Sequence, residues 1–275
     1  MDFAYRQFDT ASSKWKSLRS GAASGPANPQ VRREIPESQI PEGERVYAFG
    51  DIHGRADLLE RLFDSVEADI ETFGRGEKVR LVFLGDYVDR GFQSKEVIDF
   101  LLSDRVAQYA PIFLKGNHEE AFLKFLSEPG FGPRWAGYGG AETLISYGVR
   151  PPRTRTQIDE WVEACEKLRE VLPIEHRAFL TSLSMMTSIG DYVFVHAGLR
   201  PGRPVDQQVE DDVLWIRDEF LEDKSSFEQI VVHGHTPINE PYRDYRRVGI
   251  DTGAYLSGKL TAACFVRGEI NFLTT

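Results

Sequence analysis

Short apolar runs recur in this sequence with a fixed sequel, and that pairing constrains the fold more than any other feature. RVYAF (residues 45–49) is followed by Gly50-Asp51-Ile52-His53-Gly54. VRLVFL (79–84) leads into Gly85-Asp86-Tyr87-Val88-Asp89-Arg90-Gly91, and PIFLK (111–115) into Gly116-Asn117-His118-Glu119. Each run has the length and composition of a strand. After the first run, Leu58, Leu59, Leu62, Phe63, Val66 and Ile70 recur at helical spacing; Val97, Ile98, Leu101 and Leu102 do so after the second, and Ala121, Phe122 and Phe125 after the third. This β-α-β-α-β progression predicts an α/β fold with a parallel sheet and helices on its faces. Residues 129–183 read as helical and glycine-broken, with helices predicted over 141–147, 157–172 and 175–183. DYVFV, QIVV, RRVGI and LTAACFV then predict a second sheet, at least partly antiparallel, with one helix over 211–221.

The N-terminal segment differs in character. Residues 20–30 read SGAASGPANPQ, without charge and with nothing apolar larger than Ala, which is linker composition. We therefore expect a flexible arm over residues 1–44 and a catalytic domain over 45–275. The longest run free of Asp, Glu, Lys and Arg covers residues 178–190, too short for the roughly 20 apolar residues of a membrane-spanning helix. No membrane span is expected. The start of the chain lacks an apolar stretch of signal-peptide length, and the two cysteines, Cys165 and Cys264, have no zinc-type spacing, so a reducing cytoplasm fits. A net charge of −10 disfavours a nucleic-acid partner, whose phosphates attract basic surfaces.

The glycine-flanked segments fall at the carboxyl ends of predicted strands, where open α/β sheets hold their ligands. Val195-His196-Ala197-Gly198 and His233-Gly234-His235-Thr236 repeat the pattern later in the chain. The side chains so presented are Asp51, His53, Asp86, Asn117, His196 and His235, oxygen and imidazole donors without a thiolate. Such a set suits two divalent ions of the Mn, Fe or Zn kind. A pair of ions about 3.5–4 Å apart sharing a water would polarise a phosphoryl oxygen and supply a nucleophile, the chemistry of phosphoester hydrolysis.

The segments GDIHG, GDYVDRG, GNHE, VHAG and VHGHTP together resemble the motifs of the calcineurin-like metallophosphoesterases, specifically the phosphoprotein phosphatase branch. Trp135 with Gly139-Gly140, the stretch ending in LWIR, and Ile250-Asp251-Thr252-Gly253-Ala254 are similar to segments of bacteriophage lambda and bacterial serine/threonine phosphatases. The resemblance implies a four-layer α/β/β/α sandwich with the dimetal site at the junction of its two sheets. By the same resemblance, Asp51, His53 and Asp86 hold the first metal, and Asp86, Asn117, His196 and His235 the second, with Mn foremost. His118 matches the proton donor to the leaving group, oriented by Asp89, and Arg90 and Arg217 match phosphate-binding arginines. The implied reaction is direct in-line attack of a dimetal-bridged hydroxide, without a phosphoenzyme.

For the substrate, the resemblance implies a phosphoprotein or phosphopeptide carrying phosphoserine or phosphothreonine, with dual specificity open. The alternative is a symmetrical diadenosine tetraphosphate hydrolase, whose C-terminal segments are similar, or another small-molecule phosphohydrolase. Asp89 and Glu119 follow the phosphatase pattern, and Pro237 stands where phosphodiesterases of the superfamily carry a further His. Residues 128–160 are the expected lid or groove, with Trp135, Tyr138, Arg150, Arg153 and Arg155 as contacts. Tyr255 is expected near the site, His233 as ligand or support, and His176 as a packing or surface residue.

Overall fold

The computed structural model describes residues 39–275. Ten strands form in chain order: β1 (Glu44–Phe49), β2 (Lys78–Phe83), β3 (Ile112–Phe113), β4 (Met186–Ile189), β5 (Tyr192–Val195), β6 (Ile230–His233), β7 (Tyr242–Arg243), β8 (Arg247–Gly249), β9 (Thr261–Val266) and β10 (Glu269–Thr274). They make two five-stranded sheets, ordered β10-β9-β1-β2-β3 and β4-β5-β6-β8-β7. β1, β2 and β3 are parallel, as the alternation predicts.

Side-chain alternation along these strands builds the layers. In β1, Tyr47 and Phe49 face the helices, packing with Leu58, Leu59, Leu62, Phe63 and Val66 of the helix Ala56–Phe73. Val46 and Ala48 point the other way and meet Tyr192, Phe194, Val232 and Val248 of the second sheet. Val193, Val195 and Val231 then face outward again, onto Val213, Leu214 and Phe220 of two short helices. The order is helix, sheet, sheet, helix: the expected four-layer sandwich. Because both sheets are covered on both faces, their central strands read as continuous apolar runs.

Several expectations need correction. LTAACFV does not join the second sheet; as β9 it pairs antiparallel with β1, Val46 opposite Phe265, so the first sheet is mixed. Composition reports burial and not which sheet supplies the neighbour. β4 and β10 were not expected, since MTSI is half polar and EINFLT is an edge strand with one side open. The helix predicted over 211–221 is two helices, Glu210–Trp215 and Asp218–Leu221, broken at Ile216 and Arg217. The expected arm lies outside the described residues as far as residue 38. Within its last part Ile40 is buried between the sheets, and Gln39 and Asp191 exchange two hydrogen bonds, at 2.9 and 3.1 Å.

Candidate metal centre

The loops after β1 and β2 are zipped together: the backbone N–H groups of Ile52 and His53 both donate to the Asp86 carbonyl, and Gly54 N–H donates to that of Tyr87. One buried carboxylate ties down the second loop. Glu119 accepts from the backbone N–H groups of Asp86, Tyr87, Val88 and Gly116, at 2.8, 2.8, 3.3 and 2.9 Å. Burial, and then the charge of Asp86, push its carboxyl up to about 8 against the donors on Gly116, Asp86 and Tyr87. The backbone is forced into the left-handed region at His53, Asp86, Asp89, Arg90 and His235, with φ of 48, 53, 71, 68 and 65°. Such conformations in residues other than glycine cost on the order of 1–3 kcal/mol each and gather where side chains must converge.

They converge on Asp86. Its Oδ2 lies 3.4 Å from His53 Nε2 and 3.8 Å from His118 Nε2, and its Oδ1 lies 3.4 Å from His196 Nε2. Ligand atoms of His53, Asp86 and His118 lie within 4.8 Å of one another, and so do those of Asp86, His196 and His235. His53 Nδ1 meets the Val88 carbonyl at 3.0 Å and His196 Nδ1 that of Leu84 at 2.8 Å, so each Nδ1 carries the proton and each Nε2 turns a lone pair inward. His196 Nε2 stands 2.9 Å from Asn117 Oδ1 and 3.2 Å from His235 Nδ1. Asp51 comes from the other side: its Oδ2 accepts the His235 N–H at 3.0 Å. Among the described residues, Asp51 Oδ1 and His235 Nε2 are buried without a hydrogen-bond partner.

The electrostatics point the same way. Burial, then the charges of Asp251 and Asp86, raise the Asp51 carboxyl well above its usual range. Burial first, with Arg90 and Arg217 assisting, holds His53 and His235 well below the ordinary imidazole value, and burial lowers His196. Inward lone pairs, neutral imidazoles and crowded carboxylates repel one another unless cations stand among them, so the residues present fit divalent metals.

Around this centre, His118 Nδ1 meets Asp89 Oδ2 at 2.7 Å. Asp89 is fully buried and also accepts from Trp135 Nε1 at 3.0 Å and Thr143 Oγ1 at 2.7 Å. Trp135 is thus no lid residue, as was expected, but a buried donor stacked between Phe122 and Phe125. Arg90 donates its N–H to the Gly139 carbonyl and lays its guanidinium 4.5 Å over the Tyr255 ring, which in turn stands edge-on to His53. Arg217 lies in the break between the two short helices and donates from Nη1 to the His235 carbonyl at 3.1 Å. Tyr138 sits 6.2 Å from His118, ring to ring, whereas Arg150, Arg153 and Arg155 are exposed. His233 points away: its Nδ1 meets the Gly234 carbonyl and its Nε2 meets Arg247 Nη1, both at 3.0 Å. His176 is a packing residue, bonded to Tyr147 and Asp99.

The centre also tests its own tightness. A Cβ on Gly116 would sit 2.2 Å from Asp86 Oδ1 and 2.4 Å from Asp86 N, in a loop held by Glu119. Gly116→Ala is expected to lower stability by about 1–3 kcal/mol through overpacking and to release metal, read by thermal unfolding and metal analysis. Wild-type values in both would mean the loop yields freely.

A family model described as calcineurin-like phosphoesterase matches residues 44–262. The asymmetrical bis(5'-nucleosyl)-tetraphosphatase PrpE of Anoxybacillus flavithermus is 30% identical over 235 residues, which cover 78% of this chain and 87% of that protein. Shewanella-like protein phosphatase 2 of Arabidopsis thaliana is 29% identical over 202 residues, covering 63% of this chain and 51% of its own. Among solved structures, that of a candidate diadenosine tetraphosphatase has a TM-score of 0.57 and 24% identity, over 86% of this chain and 95% of that one. Its likeness bears on the fold, where it agrees with the two-sheet sandwich. With the match spanning the strands, the loops and the convergent donor set alike, the chain belongs to the calcineurin-like phosphoesterase family.

Proposed function

We propose that this chain is a metal-dependent phosphomonoesterase that removes phosphate from serine or threonine side chains of proteins. The observation that carries the reading is the pairing of His118 with Asp89, a carboxylate whose oxygens are fixed by Trp135 and Thr143. A serine or threonine alkoxide is a poor leaving group and needs a proton as the P–O bond breaks. Asp89 holds the His118 Nδ1–H and fixes the ring, so that Nε2 faces the centre and can deliver that proton. Asp51, His53 and Asp86 would hold one ion, and Asp86, Asn117, His196 and His235 the other. When bound, two such ions polarise the phosphoryl group and acidify a water. Arg90, steadied on Tyr255, and Arg217, anchored on the His235 carbonyl, would bind the non-bridging phosphate oxygens and stabilise charge as the phosphoryl group transfers.

A second reading is favoured by the PrpE relative, whose name denotes asymmetrical cleavage of bis(5'-nucleosyl) tetraphosphates and of which this chain covers 87%. It supports the dinucleotide alternative to the protein phosphatase, with asymmetrical cleavage as the form that this relative's name denotes. A nucleotide phosphate leaves readily without a proton, so this reading leaves the His118–Asp89 pair less to do. Metal-stripped protein, with and without added Mn, is offered a phosphothreonine peptide, a phosphotyrosine peptide, a bis-ester and diadenosine tetraphosphate. Mn-dependent release from the phosphothreonine peptide, exceeding that from the dinucleotide, is the expected result. Preference for the dinucleotide would establish the second reading instead.

A further inference from the structure

One buried histidine has no part in this scheme. His233 closes β6 and is 2% exposed. Its ring sits on the outer face of the second sheet, two residues after Val231, with Phe220 edge-on at 5.1 Å. Gly249 of β8 lies opposite and leaves it room, since a Cβ there would stand 3.2 Å from Nε2. Arg247, at the start of β8, places Nη1 3.0 Å from that Nε2. A guanidinium has N–H groups only, so Nε2 must accept, and a ring that accepts there carries its proton on Nδ1. Nδ1 stands 3.0 Å from the Gly234 carbonyl and donates to it. Arg247 thereby selects the tautomer, and His233 turns that choice into a hold on the backbone.

The carbonyl so held opens the turn that carries His235. The Thr236 N–H donates to it as well, at 2.7 Å, around a His235 with φ of 65°. Closure of three residues about a left-handed centre is the rare and strained kind of γ-turn. The other end of the same peptide unit is also held, because the His235 N–H donates to Asp51 Oδ2 at 3.0 Å. Gly234 N–H in turn donates to the His196 carbonyl at 2.9 Å. On the inner side there is no slack: a Cβ on Gly234 would lie 2.1 Å from Asp51 Oδ1. Asp51 thus grips the turn from within and His233 from without, as a left-handed residue other than glycine requires if it is to persist.

We infer that His233 is a positioning residue of the metal centre, set in its Nδ1–H form by Arg247 and pinning the Gly234 carbonyl so that the strained turn keeps the His235 imidazole beside His196. The inference rests on the metal-centre reading above. Without the pin the turn relaxes, and the His235 ring, whose Nδ1 stands 3.2 Å from His196 Nε2, is the metal donor that moves. His53 is set by the Val88 carbonyl instead, so the loss should fall on the ion of the His196–His235 side.

The test uses the full chain, stripped of metal and titrated with Mn2+ alone by calorimetry, with the histidine ring nitrogens followed by NMR. Metal-free wild type is expected to show His233 with its proton on Nδ1, and then to take two ions. His233→Leu fills the seat without a donor and is expected to bind one ion about 10–100-fold more weakly and the other as before. His233→Asn puts an amide N–H where Nδ1 stood but leaves Arg247 unmet. It is expected to restore the weakened ion, although its metal-free Tm falls with that of His233→Leu. Unchanged affinity in His233→Leu, a loss that His233→Asn does not restore, or a wild-type proton on Nε2 would overturn the inference and leave the metal centre standing. Wild-type protein that takes fewer than two ions would overturn the metal-centre reading, and this inference with it.

Discussion

Asp86→Asn is expected to empty both halves of the metal centre at once and to take turnover on a phosphothreonine peptide to background, while the chain stays folded. Among the described residues, Asp86 is the carboxylate whose two oxygens face both imidazole groups, 3.4 Å from His53 on one side and 3.4 Å from His196 on the other. Burial alone would disfavour its charge, but the surrounding His196, His118, His53 and His235 outweigh that and hold its carboxyl well below the usual range. It is therefore the anionic hinge of the donor set. The asparagine retains an oxygen for the His118 backbone N–H, which Asp86 Oδ1 now accepts at 3.1 Å, so the helix Asn117–Ser127 keeps its first turn. Losing the charge stabilisation of both ions, about 5–6 kcal/mol, corresponds to about four orders of magnitude in rate. Removing the charge also relieves Asp51, whose carboxyl Asp86 helps to raise, so metal-free stability should not fall. Metal content after dialysis and peptide turnover decide the matter. Retention of both ions with more than about a tenth of wild-type turnover would mean that Asp86 is not shared.

Much of this was legible in the sequence because the same physics wrote both. β1, β2, β5 and β6 are covered on both faces along the stretches VYAF, LVF, YVFV and IVV, so burial forced those stretches into apolar runs that the eye can find. The helix Ala56–Phe73 buries one face only, and its Leu and Phe positions keep that period. The glycines at the strand ends are legible for a related reason: Gly116 and Gly234 lie where a Cβ would strike Asp86 or Asp51, so small residues mark the places where side chains crowd.

What stayed hidden lies in contacts between distant segments. β9 reads as a strand, but only the pairing of Val46 with Phe265 decides its sheet. β10 is an edge strand with four of its six residues exposed, and its run of mixed polarity resembles a loop. Glu119 is one acidic residue among many until four backbone donors are found around it. Trp135, in a glycine-rich stretch, reads as a surface aromatic, yet its ring is stacked and its indole N–H is spent on Asp89. The left-handed backbone at His53, Asp86 and His235 also goes unannounced, since histidine and aspartate do not advertise it as glycine does.

His118→Asn is expected to leave both metals in place and to slow the poor-leaving-group reaction selectively. The geometry offers His118 two roles, because its Nε2 falls within ligand reach of His53 and Asp86 while its Nδ1 is bound to Asp89. The distances favour the acid. Nδ1 to Asp89 is 2.7 Å against 3.8 Å from Nε2 to Asp86, so the ring is oriented by the buried carboxylate, with Nε2 at the edge of the centre. A proton donor contributes about 10²–10⁴ in rate where the leaving oxygen is basic, and little where it is not. The variant should thus lose about 10²–10³-fold in kcat on a phosphothreonine peptide and far less on an aryl phosphate with an acidic phenol. Asp89→Asn should follow the same pattern more weakly, since it spoils the orientation of the ring and spares the ring itself. Loss of an ion in His118→Asn would make His118 a ligand, and an equal loss on both substrates would assign it to positioning; either result removes the observation on which the phosphomonoesterase reading stands.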